Sequence, residues 1–276
     1  MDKFSKKKIN AISMYMVNPI LFIYLQEKLM FESEKNRRTI RKYLSRDIPD
    51  NLLNDLLETS FRASTMGGMQ LYSVVVTRSE DMKSKLSPAH FDQPMIKNAP
   101  VVLTFCADFR RFTKWCMQRN AVPGYDNLMS FMNASMDTLL VAQTFCIMAE
   151  KIGLGICYLG TTTYNPQMII DALDLPKLVF PVTTVTVGYP DGLPNQVDRL
   201  PIHAMIHQEE YRDYTAKELD EIYAEKESLP DNQQFIKENE KENLAQVFTD
   251  IRYTKKDNEY MSENLLKALQ QQGFYN

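Results

Sequence analysis

The 276-residue chain predicts an α+β or α/β fold, and three observations carry that expectation. Helical segments fall between consecutive strand segments, which calls for a sheet covered by helices. Residues 101–107 (VVLTFCA) form a continuous apolar run of strand length, suited to a strand buried on both faces. Residues 127–151 read as a long helix that is apolar nearly all round, so it must lie at the centre of a fold or in a subunit interface.

The elements follow in chain order. Lys3, Lys6, Lys7 and Lys8 precede an apolar stretch over 12–25, a layout shared by signal peptides and short anchors. Asn18 and Pro19 interrupt that stretch, no small-residue cleavage site follows, and its roughly 14 residues fall short of the ~20 a spanning helix needs. An upstream extension with Met30 as an alternative start, a peripheral helix, and a signal or anchor all remain open, and no stable membrane insertion is expected. The expected organisation is an extension over 1–29, a core over 30–214 and a helical C-terminal extension of the same domain over 215–276. Pro49 and Asp50 start a helix in which Leu52, Leu53, Leu56, Leu57 and Phe61 recur at helical spacing up to Arg62. A polar break over 64–70 leads to a strand at 71–77, and 90–100 reads as a loop or short helix before the strand at 101–107.

In the long helix, Leu128, Met132, Met136 and Leu140 make one stripe, with Phe131, Ser135, Leu139, Ala142, Cys146 and Ala149 on adjacent faces. The methionines are expected in the core. After Gly153-Leu154-Gly155 come a strand at 156–159, a helix at 166–173 and a strand at 182–188. Beyond Tyr214 the chain is charged and helical near 216–226, 240–250 and 259–272, with a polar separator at 229–234.

Composition and motifs exclude several classes. A hydrophobic fraction of 44% with 24% charged residues excludes collagen-like, low-complexity and wholly disordered chains. Thirty-two Lys and Arg against 35 Asp and Glu give a net charge of −3, so the global footprint of a nucleic-acid binder is missing. Cys106, Cys116, Cys146 and Cys157 are spaced too irregularly for a zinc site with only His90, His203 and His207 to help. No metal is expected, and the thiols are read as reduced, as in a cytoplasmic protein. Gly153-Leu154-Gly155 would need a third glycine where Tyr158 stands, and a helix precedes it, so a dinucleotide fingerprint is rejected. Neither a phosphate-binding GxxxxGK[ST] loop nor a GxSxG elbow is present. The densest basic cluster is Arg37-Arg38-Thr39-Ile40-Arg41, which can clamp a phosphate through charge-assisted bonds, although a solvated basic turn would look the same.

Several segments in order resemble the nitroreductase family of FMN-dependent oxidoreductases, in particular its larger NAD(P)H-dependent nitro and flavin reductases. Arg37, Thr39 and Arg41 match the family's basic-x-[Ser/Thr]-x-[Arg/Lys] opening. Ser64-Thr65-Met66 with Gln70 resembles its small polar loop before the first strand. Gln93-Pro94-Met95-Ile96, Ala99-Pro100 and Phe105-Cys106-Ala107-Asp108 are similar to its second flavin-contacting stretch. Gly153-Leu154-Gly155-Ile156-Cys157-Tyr158-Leu159-Gly160 resembles its glycine run, and Leu175-Pro176, Val187-Gly188-Tyr189-Pro190 and Arg199-Leu200-Pro201 follow in order.

The resemblance implies an α+β nitroreductase-like fold, with a central, mainly antiparallel sheet flanked by helices in an interlocked homodimer whose core is the 127–151 helix. It implies FMN as cofactor, NADPH or NADH as reductant, and ping-pong two-electron hydride transfer to a small-molecule acceptor such as a nitroaromatic, a quinone or free flavin. Arg37, Thr39 and Arg199 would hold the FMN phosphate with Arg38 close by, and Arg41 would sit at the pyrimidine edge. Ser64, Thr65 and Gln70 would contact the ribityl chain and ring, Gln93 the ring edge, and the backbone of Leu159, Gly160 and Thr161 would lie against N5, where a side chain at Gly160 would collide with the ring. The flavin itself would carry the hydride, so no catalytic side chain is expected. This sequence departs from the family pattern in three places. Val197-Asp198-Arg199 stands where Lys-x-Arg is usual, at a cost to phosphate binding of about 1–3 kcal/mol. Thr161 replaces the second glycine of a pair and would narrow the pocket. Residues 229–234 lack the arginines with which some members hold the 2′-phosphate of NADPH. The alternative is a non-catalytic flavin-binding redox sensor, in which those departures block turnover.

Overall fold

A computed structural model describes residues 32–275, so the basic and apolar stretches of the first thirty residues lie outside the described residues. Among the described residues four strands form one sheet: β1 (Tyr72–Thr77), β2 (Val101–Asp108), β3 (Gly155–Leu159) and β4 (Val179–Gly188), in the order β1-β2-β4-β3. Every neighbouring pair is antiparallel, with Tyr72 opposite Ala107, Val101 opposite Val187 and Gly155 opposite Gly188. This decides between the two fold classes in favour of α+β. All eight residues of β2 are buried, as its unbroken apolar run requires of a central strand covered on both sides.

Helices α1 (Asp50–Ser60), α2 (Glu80–Leu86), α3 (Pro94–Asn98), α4 (Arg110–Gln118), α5 (Leu128–Lys151) and α6 (Pro166–Ala172) surround the sheet. One face is packed by α1 and α5, where Leu53, Leu56, Leu57, Val141 and Phe145 meet Val101, Leu103, Phe105, Val185 and Val187. On the other, Leu86, Ile96 and Ile169 from α2, α3 and α6 meet Val102, Cys157 and Leu159. The tail supplies α7 (Ala216–Ser228), α8 (Pro230–Glu238) and α9 (Lys255–Gln271). From α9 and the residues after it, Leu269 and Phe274 return to pack with Phe109, Phe131 and Phe180 at one end of the sheet.

Several elements differ from the sequence reading. Strand β4 begins at Val179, not at 182, because Pro181 sits opposite Cys106 where the register shifts, a place in a sheet that tolerates a missing N–H. The polar separator at 229–234 is helical, with Pro230 in the first turn of α8, where it has no bond to break. The predicted 240–250 helix is reduced to one turn, Leu244–Val247, followed by a π-turn at Phe248–Arg252. The sequence reading did not anticipate α2 or α4. The methionine stripe of α5 is the main correction: Leu128, Met132, Met136 and Leu140 are 45–50% exposed within the chain. The face toward the sheet carries Ala134, Val141, Ala142, Phe145, Cys146 and Ala149 instead, so the helix has two apolar faces and the chain buries one.

Candidate functional site

The 37–41 segment runs beside β3, with the Ile40 N–H donating to the Ile156 carbonyl at 2.9 Å. Two glycines make this possible in different ways. Gly153, with φ +87°, ends α5 in a left-handed turn in which Gly153 N donates to Glu150 O at 3.0 Å and Leu154 N to Ala149 O at 3.0 Å. Gly155 admits the neighbouring segment itself, since a Cβ there would stand 2.6 Å from Ile40. Buried Tyr43 pins the other end, its hydroxyl 2.7 Å from both the Ile40 carbonyl and Thr186 Oγ1.

So held, Arg37, Arg38 and Thr39 face Gln196, Val197 and Arg199 across a cleft of about 310 Å³. The two walls are tied by the Gln196 amide, which donates to the Lys35 carbonyl. Arg37 also reaches Glu150 at 3.3 Å; burial raises the Glu150 carboxyl and Arg37 pulls it back. Arg38 Nε is buried without a hydrogen-bond partner, a donor directed at nothing in the protein. Arg199 donates to the Asp198 carbonyl at 2.7 Å, and the Asp198 carboxylate accepts from Lys226 Nζ of α7 at 2.9 Å. Thr39 also borders a second cleft of about 370 Å³ with Arg41, Lys42 and the 191–194 turn. Arg41 lies beside Cys157, whose thiol is raised by burial and drawn back down by the guanidinium.

Strand β3 ends at Leu159, and the turn Gly160–Thr163 follows. Gly160 is exposed, and a Cβ there would meet nothing within 4 Å, so the fold itself does not require a glycine. Thr161 is turned inward, 92% buried by its 8% exposure, with Oγ1 2.8 Å from Nδ1 of His90. It therefore does not narrow the open side, contrary to the expectation from its size. His90 is fully buried, its Nε2 has no partner, and burial lowers its pKa to about 4. Three residues on, half-buried Gln93 caps α3, its N–H donating to the His90 carbonyl at 3.2 Å. Arg37, Arg38, Thr39, Arg41, Gln93, Leu159, Gly160, Thr161 and Arg199 thus gather around the β3 side of the sheet.

Ser64, Thr65 and Gln70 are elsewhere. They precede β1, at the opposite edge of the sheet, three strand spacings or roughly 14 Å away. Buried Asp137 of α5 organises their loop, accepting from Thr65 Oγ1 at 2.5 Å, Met66 N at 2.8 Å and Leu71 N at 3.2 Å. Gln70 N in turn donates to Thr65 Oγ1 at 2.9 Å, so the Thr65 hydroxyl is committed to the loop, while Ser64 and Gln70 stay exposed. Asp137, His90, Glu150 and Lys226 have no part in the sequence-predicted site. Asp137 carried a signal, being the one charged residue of the long helix before Glu150.

The β3-side cleft fits a phosphorylated anionic ligand. It presents three guanidinium groups and one buried donor without a partner, while at the other end of β3 exposed Gly160 leaves its surface open. Among the described residues there is no cluster of three or more metal-ligating side chains and no helix long and apolar enough to cross a membrane.

A family model described as the nitroreductase family matches residues 35–189. An FMN reductase [NAD(P)H] of Bacillus subtilis is 32% identical over 185 residues, covering 66% of this chain and 74% of that protein. A Cr(VI) reductase of a Pseudomonas species is 29% identical over 185 residues, 67% of this chain and 76% of its own. A Bacteroides fragilis crystal structure, provisionally assigned as an oxidoreductase, superposes with a TM-score of 0.88 at 74% identity over 89% of this chain and all of that one. NfrA2 of B. megaterium superposes with a TM-score of 0.76 at 28% identity, over 89% of this chain and 97% of that one.

Proposed function

The chain belongs to the nitroreductase family, and from that premise we propose that it is an NAD(P)H-dependent FMN oxidoreductase that passes two electrons to an electron-poor small molecule. The observation that carries this reading is the meeting of Arg37, Arg38, Thr39 and Arg199 on one cleft, on the segment that runs beside β3, the strand that ends at exposed Gly160. The guanidinium groups of Arg37, Arg38 and Arg199 hold the phosphate, with Thr39 donating its hydroxyl. Arg37 is kept in place by Glu150 and needs only to share its donors. Arg41 sets a fixed cation toward the pyrimidine edge, and Gln93 binds the ring edge. Bound FMN supplies reversible two-electron hydride transfer, which accounts for a site without a triad or metal set. The reduced nicotinamide and the acceptor use the same open face in turn, a ping-pong order, with nitroaromatics, quinones and free flavin as the acceptor class.

The site is completed by a second copy. Ser64, Thr65 and Gln70 lie at the wrong edge to join the arginines of their own chain, whereas a partner's loop can reach them. The exposed Met129, Met132, Met136, Leu139 and Leu140 of α5 give such a partner an apolar face to bury. The core over 30–214 and the tail over 215–276 form one domain, supported by the packing of Leu269 and Phe274 on Phe131 and Phe180. Four buried free thiols suit a reducing, cytoplasmic setting. A sensor without turnover loses its main support, because Thr161 is turned inward and Asp198 is neutralised by Lys226.

The test is titration of the purified protein with FMN, then stopped-flow reduction by NADH and NADPH and reoxidation by a panel of nitroaromatics, quinones and flavins. A protein that neither retains nor takes up FMN overturns the assignment. Flavin binding without steady NAD(P)H oxidation in the presence of menadione would favour the sensor.

A further inference from the structure

The loop that carries Arg199 also carries an acid, and the structure shows what has become of its charge. Asp198 immediately precedes Arg199, whose guanidinium donates back to the carbonyls of Val197 at 3.4 Å and Asp198 at 2.7 Å. A free carboxylate at this point would compete for Arg199 and repel a phosphate dianion in the adjoining cleft. Lys226 prevents both, with Nζ 2.9 Å from Asp198 Oδ2 and the two side chains only 25% and 17% exposed. At that degree of burial, removing one partner leaves the other charge poorly compensated.

Lys226 lies in the last turn of α7, which is fixed at its start by the reciprocal capping of Thr215 and Glu218 and along its length by buried Ile222. From the next helix, Asn232 Nδ2 donates to the Lys226 carbonyl at 2.7 Å. The ammonium does not line the cleft, so it does not stand in for the missing clamp lysine by touching the ligand.

We propose that Lys226 is a positioning residue for the phosphate site: by neutralising Asp198 it releases Arg199 to serve the phosphate, and it makes the helical tail part of the flavin-binding machinery. The proposal rests on the reading of the 310 Å³ cleft as the FMN phosphate site. It deepens that reading by assigning a function to a residue outside the cleft.

The experiment compares dissociation constants for FMN and for riboflavin, which lacks the phosphate, across the wild type, Lys226→Met, Asp198→Asn and the double variant. Lys226→Met is expected to weaken FMN about tenfold and leave riboflavin unchanged. Asp198→Asn should bind FMN as well as the wild type or better, and in the double variant FMN affinity should return to within about twofold of wild type. Lys226→Arg, which keeps the cation, should match the wild type. The opposite pattern defeats the proposal: equal weakening by Lys226→Met and Asp198→Asn with no recovery in the double variant marks a mere structural tether, and parallel loss of riboflavin marks general loosening. If Lys226→Met fails to fold, the sign of the Asp198→Asn effect still decides, since a loss of FMN affinity there contradicts the argument. A wild type that binds riboflavin and FMN equally defeats the phosphate reading, an outcome distinct from failure of the Lys226 cycle.

Discussion

Gly155 and Gly160 lie five residues apart and should respond to alanine in opposite ways. In Gly155→Ala the new methyl would stand 2.6–2.7 Å from Cβ, Cγ1 and Cγ2 of Ile40, where ordinary contact begins at 3.4 Å. Ile40 must then retreat by roughly 0.8–1 Å. It is branched at the backbone and held by its 2.9 Å bond to Ile156, so no rotamer relieves the clash. Overpacking of this kind costs about 1–3 kcal/mol and the weakened bond about 1 more, which gives about 2–4 kcal/mol of lost stability. The retreat also shifts Arg37, Arg38 and Thr39 relative to Arg199, out of the clamp geometry. Losing one charge-assisted phosphate contact, about 1.5–3 kcal/mol, raises the FMN dissociation constant by at least about tenfold. In Gly160→Ala the methyl meets nothing within 4 Å, so apo stability should stay within about 0.5 kcal/mol of wild type while FMN binding falls, because the methyl enters the space assigned to the ring. Urea unfolding of the apoprotein and flavin fluorescence titration measure the two effects. FMN affinity within twofold of wild type in Gly155→Ala, or an unstable Gly160→Ala apoprotein with undiminished affinity, would refute the reasoning.

Asp137→Ala strands the Thr65 hydroxyl and the Met66 and Leu71 amides and should cost about 3–5 kcal/mol in urea unfolding, with Asp137→Asn costing about half as much; a loss under 1 kcal/mol would show that the loop does not depend on this carboxylate. Met136→Asp should abolish dimer and yellow colour together, and a flavin-loaded monomer on size exclusion would contradict the split site. His90 sets a pH dependence: its pKa is about 4 in the fold against 6.5 ordinarily, so the unfolded chain takes up the proton first as pH falls. Stability should therefore drop by up to roughly 3 kcal/mol between about pH 6.5 and pH 4, and His90→Asn should lack that component. Parallel pH profiles for the two proteins would remove it.

The parts of the fold that the sequence reveals are those where one local pattern has one outcome. An eight-residue buried strand at Val101–Asp108 and a helix from Asp50 with leucines at every turn leave little choice. The misread places are those where the same residue supports two structures. Pro181, outside the strand read at 182–188, occupies a register shift within β4, and Pro230, in the stretch read as a separator, opens a helix. For the site, the arginines were legible because charge and spacing are local, and Gly160 because of its run. Their supports were not: Lys226 acts on Asp198 across 28 positions, His90 meets Thr161 across 71, and Asp137 meets Thr65 across 72. Nothing in local periodicity reports such pairings; only Asp137, an acid within an apolar helix, offered a hint.

The same helix explains why flavin binding and association should fail together. Near its middle, α5 anchors the 64–70 loop through Asp137, and at its C-terminal end it meets the arginine segment through Glu150 and Arg37. Thirteen residues of helix separate these anchors, about 20 Å at 1.5 Å per residue, so one chain cannot close the distance without breaking α5. A two-fold axis crossing an antiparallel pair of α5 helices midway between Asp137 and Glu150 would set the Asp137 end of each copy against the Glu150 end of the other. That midpoint falls at residues 143–144, just beyond the exposed Met136, Leu139 and Leu140 on the face the chain leaves uncovered. In that arrangement the stripe that sequence periodicity assigned to the core would be buried after all, between two chains, and next to a site that neither copy would hold alone. A charge placed there would remove the apolar contact and, with it, the arrangement proposed to bring Ser64, Thr65 and Gln70 to the arginines.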